Sequence, residues 1–227
     1  MTTNYVVQDK HIKPYKGPPM EGMIAKWYAK NGGRVSEQKL LVEKIKNALP
    51  EGGNVLEVAP GPGYLAIELA RHGSYKVTGL EISKTFIEIA QDNAKKMNVN
   101  VEFRHGNASD MPFEDNIFDF IICVAAFKNF SQPVEAIREM HRVLSPGGKA
   151  CIVDLRRDVP LEKIDSHIKD DLRMNGLNAF FTKFVFRNFL LKNAYSKAEI
   201  EGLVSQTNFL QAKIYEDNLG MEIWLEK

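Results

Sequence analysis

The run V-L-E-V-A-P-G-P-G-Y-L-A-I-E-L-A, from Val55 to Ala70, constrains this chain more than any other stretch. Its first residues are aliphatic and read as a strand. Its last residues, from Tyr64, are good helix formers. Ala59 to Gly63 turn the chain between the two. Strand, glycine turn and helix in that order make a βα unit, whose strand wants a parallel neighbour and whose helix must cover a sheet face. Such a turn leaves backbone N–H groups and a helix N-terminus at the sheet's carboxyl edge, and its glycines let a ligand approach closely.

The pattern recurs downstream. Strands are expected over Asn54–Val58, Lys76–Leu80, Val99–Arg104, Ile117–Val124 and Lys149–Asp154. Helices are expected between them: Tyr64–Arg71, a helix capped by Ser83 and running to about Met97, and Val134–Leu144, stopped by Pro146 and Gly147-Gly148. Ile117–Val124 is apolar but for Asp119, as befits a strand buried on both faces. This βαβα alternation predicts a Rossmann-like, doubly wound α/β sheet with helices on both faces. Ahead of it, Met20–Lys30 reads as a helix with Met23, Ile24, Trp27 and Tyr28 at helical spacing, ended by Gly32-Gly33. Ser36 is placed to cap a second helix, with Leu40, Leu41, Ile45 and Leu49 on its apolar face.

After Asp154 the alternation breaks. Residues 160–192 look helical, Tyr195–Gln206 reads as a further helix, and Leu210–Tyr215 with Met221–Leu225 reads as an antiparallel hairpin at the sheet edge. The expected organisation is a helical cover over residues 1–50 and one α/β domain over 51–227, with a helical lid or substrate insertion at 156–194.

Composition narrows the functional classes. A chain of 227 residues with 44% hydrophobic and 26% charged residues suits one large globular domain. Its net charge of +1 supplies no broad field for nucleic acid or an anionic membrane, so neither partner is expected. A local basic cluster, Lys10, His11, Lys13 and Lys16, reads as a solvated, frayed terminus. Cys123 and Cys151 lie in apolar runs and read as buried free thiols. Two isolated cysteines and five scattered histidines have no metal-ligand spacing, so no metal is expected. Residues 1–20 lack the apolar core of a signal peptide, and no apolar run nears the ~20 residues of a membrane span. The expected location is cytoplasmic.

The glycine turn leaves two cofactors open. Gly61 to Ala66, G-P-G-Y-L-A, satisfies the dinucleotide fingerprint G-x-G-x-x-A. Glu81 follows at the end of the next strand, where a carboxylate can accept both ribose hydroxyls of an adenosine. Nicotinamide dinucleotides and S-adenosylmethionine fit these two features equally. Glu57, just before the loop, separates them: a second carboxylate repels a pyrophosphate and attracts an ammonium group.

Further pieces follow in order: V-L-E-V-A-P-G-P-G, V-T-G-L-E-I-S, G-N-A-S-D-M-P-F, N-I-F-D-F-I-I-C and E-A-I-R-E-M-H-R-V-L-S-P-G-G. With them the chain resembles the class I S-adenosylmethionine-dependent methyltransferases, and especially their small-molecule branch, from residue 54 to about 154. The resemblance implies a seven-stranded sheet in the order 3-2-1-4-5-7-6 with the last strand antiparallel. It implies S-adenosyl-L-methionine as cofactor and a small-molecule methyl acceptor as partner. It assigns Glu57, Ala59, Gly61 and Gly63 to the methionine end and Glu81 to the ribose. Ile82 is expected to pack on the adenine, Asn107 and Ala108 to read its edge, and Val124 with Ala125 to flank the sulfonium. Ala59 stands where the family usually has glycine, and Asn107 where it often has aspartate, though an asparagine carbonyl still accepts a hydrogen bond.

No obligatory catalytic constellation is visible. Tyr28 either folds over the cofactor or packs with Met23 and Trp27 on the domain. Lys128, at the mouth of the transfer site, either orients an anionic acceptor or, as preferred, is a solvated loop lysine. Asp154 either orients or deprotonates an acceptor, or pairs with an arginine such as Arg156 or Arg157. His105 reads as a loop histidine, and His141 as a surface or packing residue. Leu177, Phe180, Phe181, Phe184, Phe186, Phe189, Leu190 and Leu191 form an apolar segment that is either core, an apolar acceptor pocket or a homodimer surface. The expected activity is methyl transfer to a small apolar or aromatic acceptor. The alternatives are a nicotinamide-dependent oxidoreductase and a cofactor-binding protein without chemistry.

Overall fold

The computed structural model describes residues 13–17, 20–31, 35–49, 51–171, 183, 190–209 and 212–227. Two helices lead, α1 (Gly22–Asn31) and α2 (Val35–Ala48). The alternating body follows: β1 (Gly53–Val58), α3 (Tyr64–Ala70), β2 (Tyr75–Glu81), α4 (Lys84–Lys96), β3 (Glu102–His105), β4 (Phe118–Val124), a 3-10 turn (Phe127–Asn129), α5 (Pro133–Val143) and β5 (Leu144–Leu155). A short helix α6 (Leu161–Ser166) comes next and runs into a π-helical turn (His167–Asp171). Beyond a helical turn at Leu191–Asn193 stand α7 (Lys197–Val204), β6 (Ala212–Glu216) and β7 (Gly220–Glu226).

The seven strands form one sheet in the order β3-β2-β1-β4-β5-β7-β6. Strands β1 to β5 pair in parallel, and β7 runs antiparallel between β5 and β6. The expected topology holds in full. Both faces are covered, and alternate residues of each strand divide between two cores. Leu56, Val58, Ile121, Cys123 and Ile152 face the core under α5 and α7. Val55, Val77, Phe120, Ile122 and Cys151 face the core under α2, α3 and α4. Both cysteines are buried free thiols. No helix among the described residues is long and apolar enough to cross a membrane.

Several expectations need correction. Val99 and Val101 only pack beside the sheet, and β3 starts at Glu102, so His105 ends a strand instead of lying in a loop. Helix α5 ends at Val143, and β5 starts at Leu144 instead of Lys149. Leu144 is already extended and pairs with Phe118, because its buried side chain belongs to the sheet. The S-P-G-G run then bulges within β5, where Gly147 takes φ +79°. Lys227 holds the end of α5: its ammonium donates to the carbonyls of His141 and Leu144, as suits a cation at a helix C-terminus. Ser36 lies inside α2, not at its cap.

Of the apolar faces expected on the leading helices, that of α2 holds at Ile45, with Leu41 and Leu49 partly buried, but not at Leu40, and that of α1 does not hold at Met23 or Trp27. On α1, Ala25 is buried, whereas Met23 is 87% and Trp27 68% exposed. On α2, Val42 and Ile45 are buried and Leu40 is exposed. The Phe-rich stretch with Leu177, Phe180, Phe181, Phe184, Phe186 and Phe189 lies outside the described residues, as do Lys10, His11 and Gly32-Gly33. Leu191 is buried with Val159, Ile164 and Ile168.

Candidate active site

The parallel strands bring the loops of interest to one edge of the sheet. β1 lies between β2 and β4, so its glycine turn is flanked by the ends of both. This is the crevice where open α/β sheets bind ligands.

The turn separates its two glycines by task. Gly63 takes φ +78°, and a Cβ there would meet the Phe103 ring at 2.8 Å and Ala90 at 2.9 Å, so packing requires it. Gly61 takes φ +54° and a Cβ there would meet nothing within 4 Å, so its open side faces the crevice. Ala59 also sits in the left-handed region, at φ 58°. An L-residue with a Cβ is strained there, by about 1–2 kcal/mol. Glycine would relieve that strain but add unfolded-state entropy of about 0.4–1 kcal/mol. Ala59→Gly should therefore stabilise the fold slightly, raising Tm by about 1–3 °C, as differential scanning fluorimetry would show.

Two carboxyl groups flank this turn. Glu81 is 5% exposed, and its oxygens accept from three backbone N–H groups: Gly61 at 2.9 Å, Ile82 at 2.9 Å and Ser83 at 2.9 Å. Burial pushes its pKa up, against the pull of those three bonds. Glu57 is equally buried. Its carboxyl is bonded to the Ala66 N–H, but Oε2 has no hydrogen-bond partner among the described residues. Burial pushes its pKa up to about 8, with the Glu81 charge adding to the effect. A buried carboxyl with an unused oxygen is an uncommon feature, and it suits a ligand that brings a cation or donor.

The residues expected on the adenine side gather beyond β2 and β3. Ile82 is half-buried, and the His105 ring bonds its carbonyl at 3.1 Å. Asn107 closes a tight turn, its Oδ1 accepting from Ser109 N at 3.1 Å, which leaves one carbonyl lone pair for a second donor. Ala108 is buried against the core. Val124 is half-buried at the end of β4, and Ala125 after it takes φ 57°.

The structure overturns the preferred reading of Lys128 and the arginine alternative for Asp154. Lys128 is 4% exposed, so it is no solvated loop lysine. Its ammonium pairs with Asp154 Oδ1 at 2.7 Å and donates to the Ala125 carbonyl at 2.6 Å. Asp154 also accepts from the backbone N–H groups of Lys128 and Leu155, both at 2.8 Å. Arginines are not its partners: Arg156 pairs with Asp158 and Glu216, and Arg157 with Glu199. The pair locks the ends of β4 and β5 together. Both oxygens of Asp154 are thus engaged within the protein.

The N-terminal segment adds contacts that sequence reasoning missed. Glu21 accepts from Lys84 N at 2.9 Å and Thr85 N at 3.1 Å, so it caps α4 together with the Ser83 cap. Burial works against ionisation of Glu21, but the Thr85 and Lys84 bonds hold its carboxyl below the ordinary value. Ser83 Oγ donates to the Met20 carbonyl at 2.7 Å. The Tyr28 ring packs edge-on against Phe86 at 5.8 Å, and Tyr64 Oη, beside the glycine turn, bonds the Ala29 carbonyl. Lys16 is no frayed lysine either: it is bonded to the loop after β4 and to Tyr195. No local periodicity marks Glu21 or Lys16, because their partners lie 63 or more residues away.

Comparisons with known proteins agree with this geometry. Residues 56–152 match the family model described as "Methyltransferase domain". A demethylmenaquinone methyltransferase of Listeria welshimeri is 36% identical over 114 residues, 48% of this chain and 48% of that protein. One of Staphylococcus haemolyticus is 33% identical over 161 residues, 69% of this chain and 61% of that protein. The chain thus spans about half the length of the curated relatives it matches. A solved structure from Methanococcus maripaludis, named as a candidate S-adenosyl-L-methionine-dependent methyltransferase, has a TM-score of 0.74. It is 22% identical, and the match covers 93% of this chain and 95% of that one, which speaks for the fold. The strand order, the glycine turn between two buried carboxyls and the matched domain converge on one conclusion: residues 56–152 carry a methyltransferase domain, on the Rossmann-like fold that S-adenosylmethionine-dependent methyltransferases share.

Proposed function

We propose that this protein transfers a methyl group from S-adenosylmethionine to a small acceptor that is apolar or aromatic. The observation that carries the cofactor reading is the unused, buried Glu57 oxygen near the end of β1, which leads into the turn that carries the open Gly61. That set fits an α-ammonium group arriving over the turn, and a pyrophosphate would meet two carboxyl groups there. The names of the curated relatives, demethylmenaquinone methyltransferases, support a small aromatic acceptor.

In this reading Glu57, Ala59, Gly61 and Gly63 hold the methionine end, and Glu81 accepts from the ribose hydroxyls. Ile82, Asn107 and Ala108 form the adenine site, and Val124 with Ala125 borders the sulfur. Tyr28 and the leading helices, residues 1–50, cover the cofactor. Residues 156–194 form the acceptor side. When bound, the cofactor supplies an electrophilic methyl group. The protein's own work is alignment and exclusion of water. The Lys128–Asp154 pair serves that work by fixing the strand ends that face the acceptor. Described residues supply no free base beside it, which suits an acceptor already nucleophilic.

The test is a thermal shift with S-adenosylhomocysteine and reduced nicotinamide cofactors side by side, followed by a methyl-transfer assay on aromatic acceptors. At ~100 times its Kd, S-adenosylhomocysteine should add about 2.7 kcal/mol, or several degrees in Tm. Stabilisation by the nicotinamide compounds alone would overturn the reading.

A pH dependence follows from Glu57. Its folded-state pKa of about 8 lies above the ordinary 4.5, so the unliganded fold retains a proton that the unfolded chain releases. Stability should thus be full below pH 4.5 as far as Glu57 is concerned, and fall as pH rises towards 8. An ammonium ligand needs the ionised form. Affinity for S-adenosylhomocysteine should therefore rise about fivefold from pH 7 to pH 8, with proton release on binding. Titration calorimetry in two buffers of different ionisation enthalpy reads both. Glu57→Gln should abolish the proton release.

A further inference from the structure

Glu139 and Arg142 stand one turn apart on α5, and together they grip the loop between β3 and β4 by its backbone. Glu139 Oε2 accepts from Met111 N at 2.7 Å. Arg142 donates through Nη2 to the Met111 carbonyl at 3.0 Å and through Nη1 to the Phe113 carbonyl at 2.8 Å. It also donates to the Asp115 carboxyl and, from Nε and Nη2, to the two Glu139 oxygens, each at 2.7 Å. A guanidinium presents its donors in a rigid fork, so this pattern holds the loop in one place and one orientation. The buried side chains of Met111 and Phe113 already anchor the loop to the core. Apolar burial is not directional, and the polar grip adds what packing lacks, a set backbone register.

That register reaches Asn107. Asn107 and Asp110 form an antiparallel bridge, with Asp110 N donating to the Asn107 carbonyl at 3.1 Å. Met111 follows directly, so the gripped backbone closes this turn. Gly106 N, at its start, donates to the Glu81 carbonyl at 3.0 Å. Ser109 Oγ donates to the carbonyl of Gln132, the N-cap of α5, at 3.2 Å. Inside the turn Ser109 N can only donate, so the Asn107 atom that faces it is Oδ1, and Nδ2 is turned away. An amide free to rotate offers a donor or an acceptor, and this one is set as an acceptor.

Resting on the cofactor reading above, we propose that Glu139 and Arg142 are positioning residues for nucleobase selection: they hold the Asn107 turn so that Oδ1 meets a 6-amino purine and the site rejects a 6-oxo purine. A 6-amino group donates to that carbonyl. A 6-oxo group sets two acceptors face to face, and only a rotated amide, with Nδ2 forward, takes it. Rotation loses the bond from Ser109 N, which the gripped loop keeps in place. Glu139 and Arg142 act through the loop backbone, not on the base.

Titration calorimetry of the full chain with S-adenosylhomocysteine and its 6-oxo counterpart, S-inosylhomocysteine, tests this. The wild type should bind the adenosine compound about 100-fold more tightly. Arg142→Met should narrow that ratio to about tenfold, weakening the adenosine compound and leaving the inosine compound within about twofold. Arg142→Lys keeps a charge beside Glu139 but not the fork, so it should recover Tm more than it recovers the ratio. If Arg142→Met fails to fold, Glu139→Gln, which keeps a carbonyl for Met111 N, reads the same ratio, expected about threefold narrower than in the wild type. A wild type that binds neither compound overturns the cofactor reading and this proposal with it. A wild type that binds both equally overturns the proposal alone. An unchanged ratio in the folded variants does the same, even with a lower Tm or an equal loss of both compounds, since it marks a purely structural grip.

Discussion

Alanine at Asp154 is expected to destabilise the fold by about 3–5 kcal/mol, because it strands a buried ammonium. Lys128 would keep only the Ala125 carbonyl as a partner, at 4% exposure. The backbone N–H groups of Lys128 and Leu155 would lose their acceptor too. Urea denaturation would read the loss, equivalent to about 10 °C in Tm. The replacement of both members, Lys128→Met with Asp154→Leu, should recover the part due to the stranded ammonium, since apolar residues of similar volume often match a buried pair, but not the part due to the two backbone N–H groups. A double-mutant cycle would then show strong coupling. Additive losses would mean that the pair is not an energetic unit. The same double variant separates stability from function. If the pair positions the strand ends, the variant folds but loses kcat more than cofactor affinity.

The second large effect lies at Glu81. In the proposed reading, Glu81→Ala should weaken S-adenosylhomocysteine binding by about tenfold to 100-fold, since the ribose loses a charge-assisted hydrogen bond of about 1.5–3 kcal/mol at the acceptor site that the backbone N–H groups leave open. It should also loosen the turn, because Gly61 N would lose its acceptor. Glu81→Gln is the cleaner variant. It keeps a carbonyl acceptor for the backbone and removes the charge, so about a tenfold loss is expected. It should also move the Glu57 pH profile towards acid, because the Glu81 charge is one of the influences that raise the Glu57 pKa. Calorimetry across pH reads both results. Unchanged affinity in Glu81→Gln would refute the ribose assignment.

Much of the fold was legible because its strands are continuous apolar runs. Ile117–Val124 is such a run but for Asp119, and Phe118–Val124 is a strand buried on both faces. Ser83 was legible as a cap for the same local reason: its hydroxyl accepts from Phe86 N, three residues away. Glu57 and Glu81 were legible because strand ends map to the sheet's carboxyl edge. Helix faces were less so. Met23 and Trp27 share helical spacing with Ala25's neighbours, but spacing cannot say which face meets the domain, and α1 buries Ala25.

What the sequence determined by itself was the class of fold, the order of its elements and the two carboxyls around the glycine turn. These are consequences of short-range pattern: apolar period, turn chemistry, and position at a strand end. What the tertiary structure alone decided was partnership. Asp154 meets Lys128 instead of an arginine because β5 lies beside β4 and the turn after β4 folds the lysine back onto the sheet edge. Glu21 caps a helix 63 residues ahead, and Lys16 reaches Tyr195, 179 residues away. The physical reason is that a charged side chain carries no record of its partner. Only the strand order, which sets which loops are neighbours, turns a lysine that could have been solvated into one held in the core.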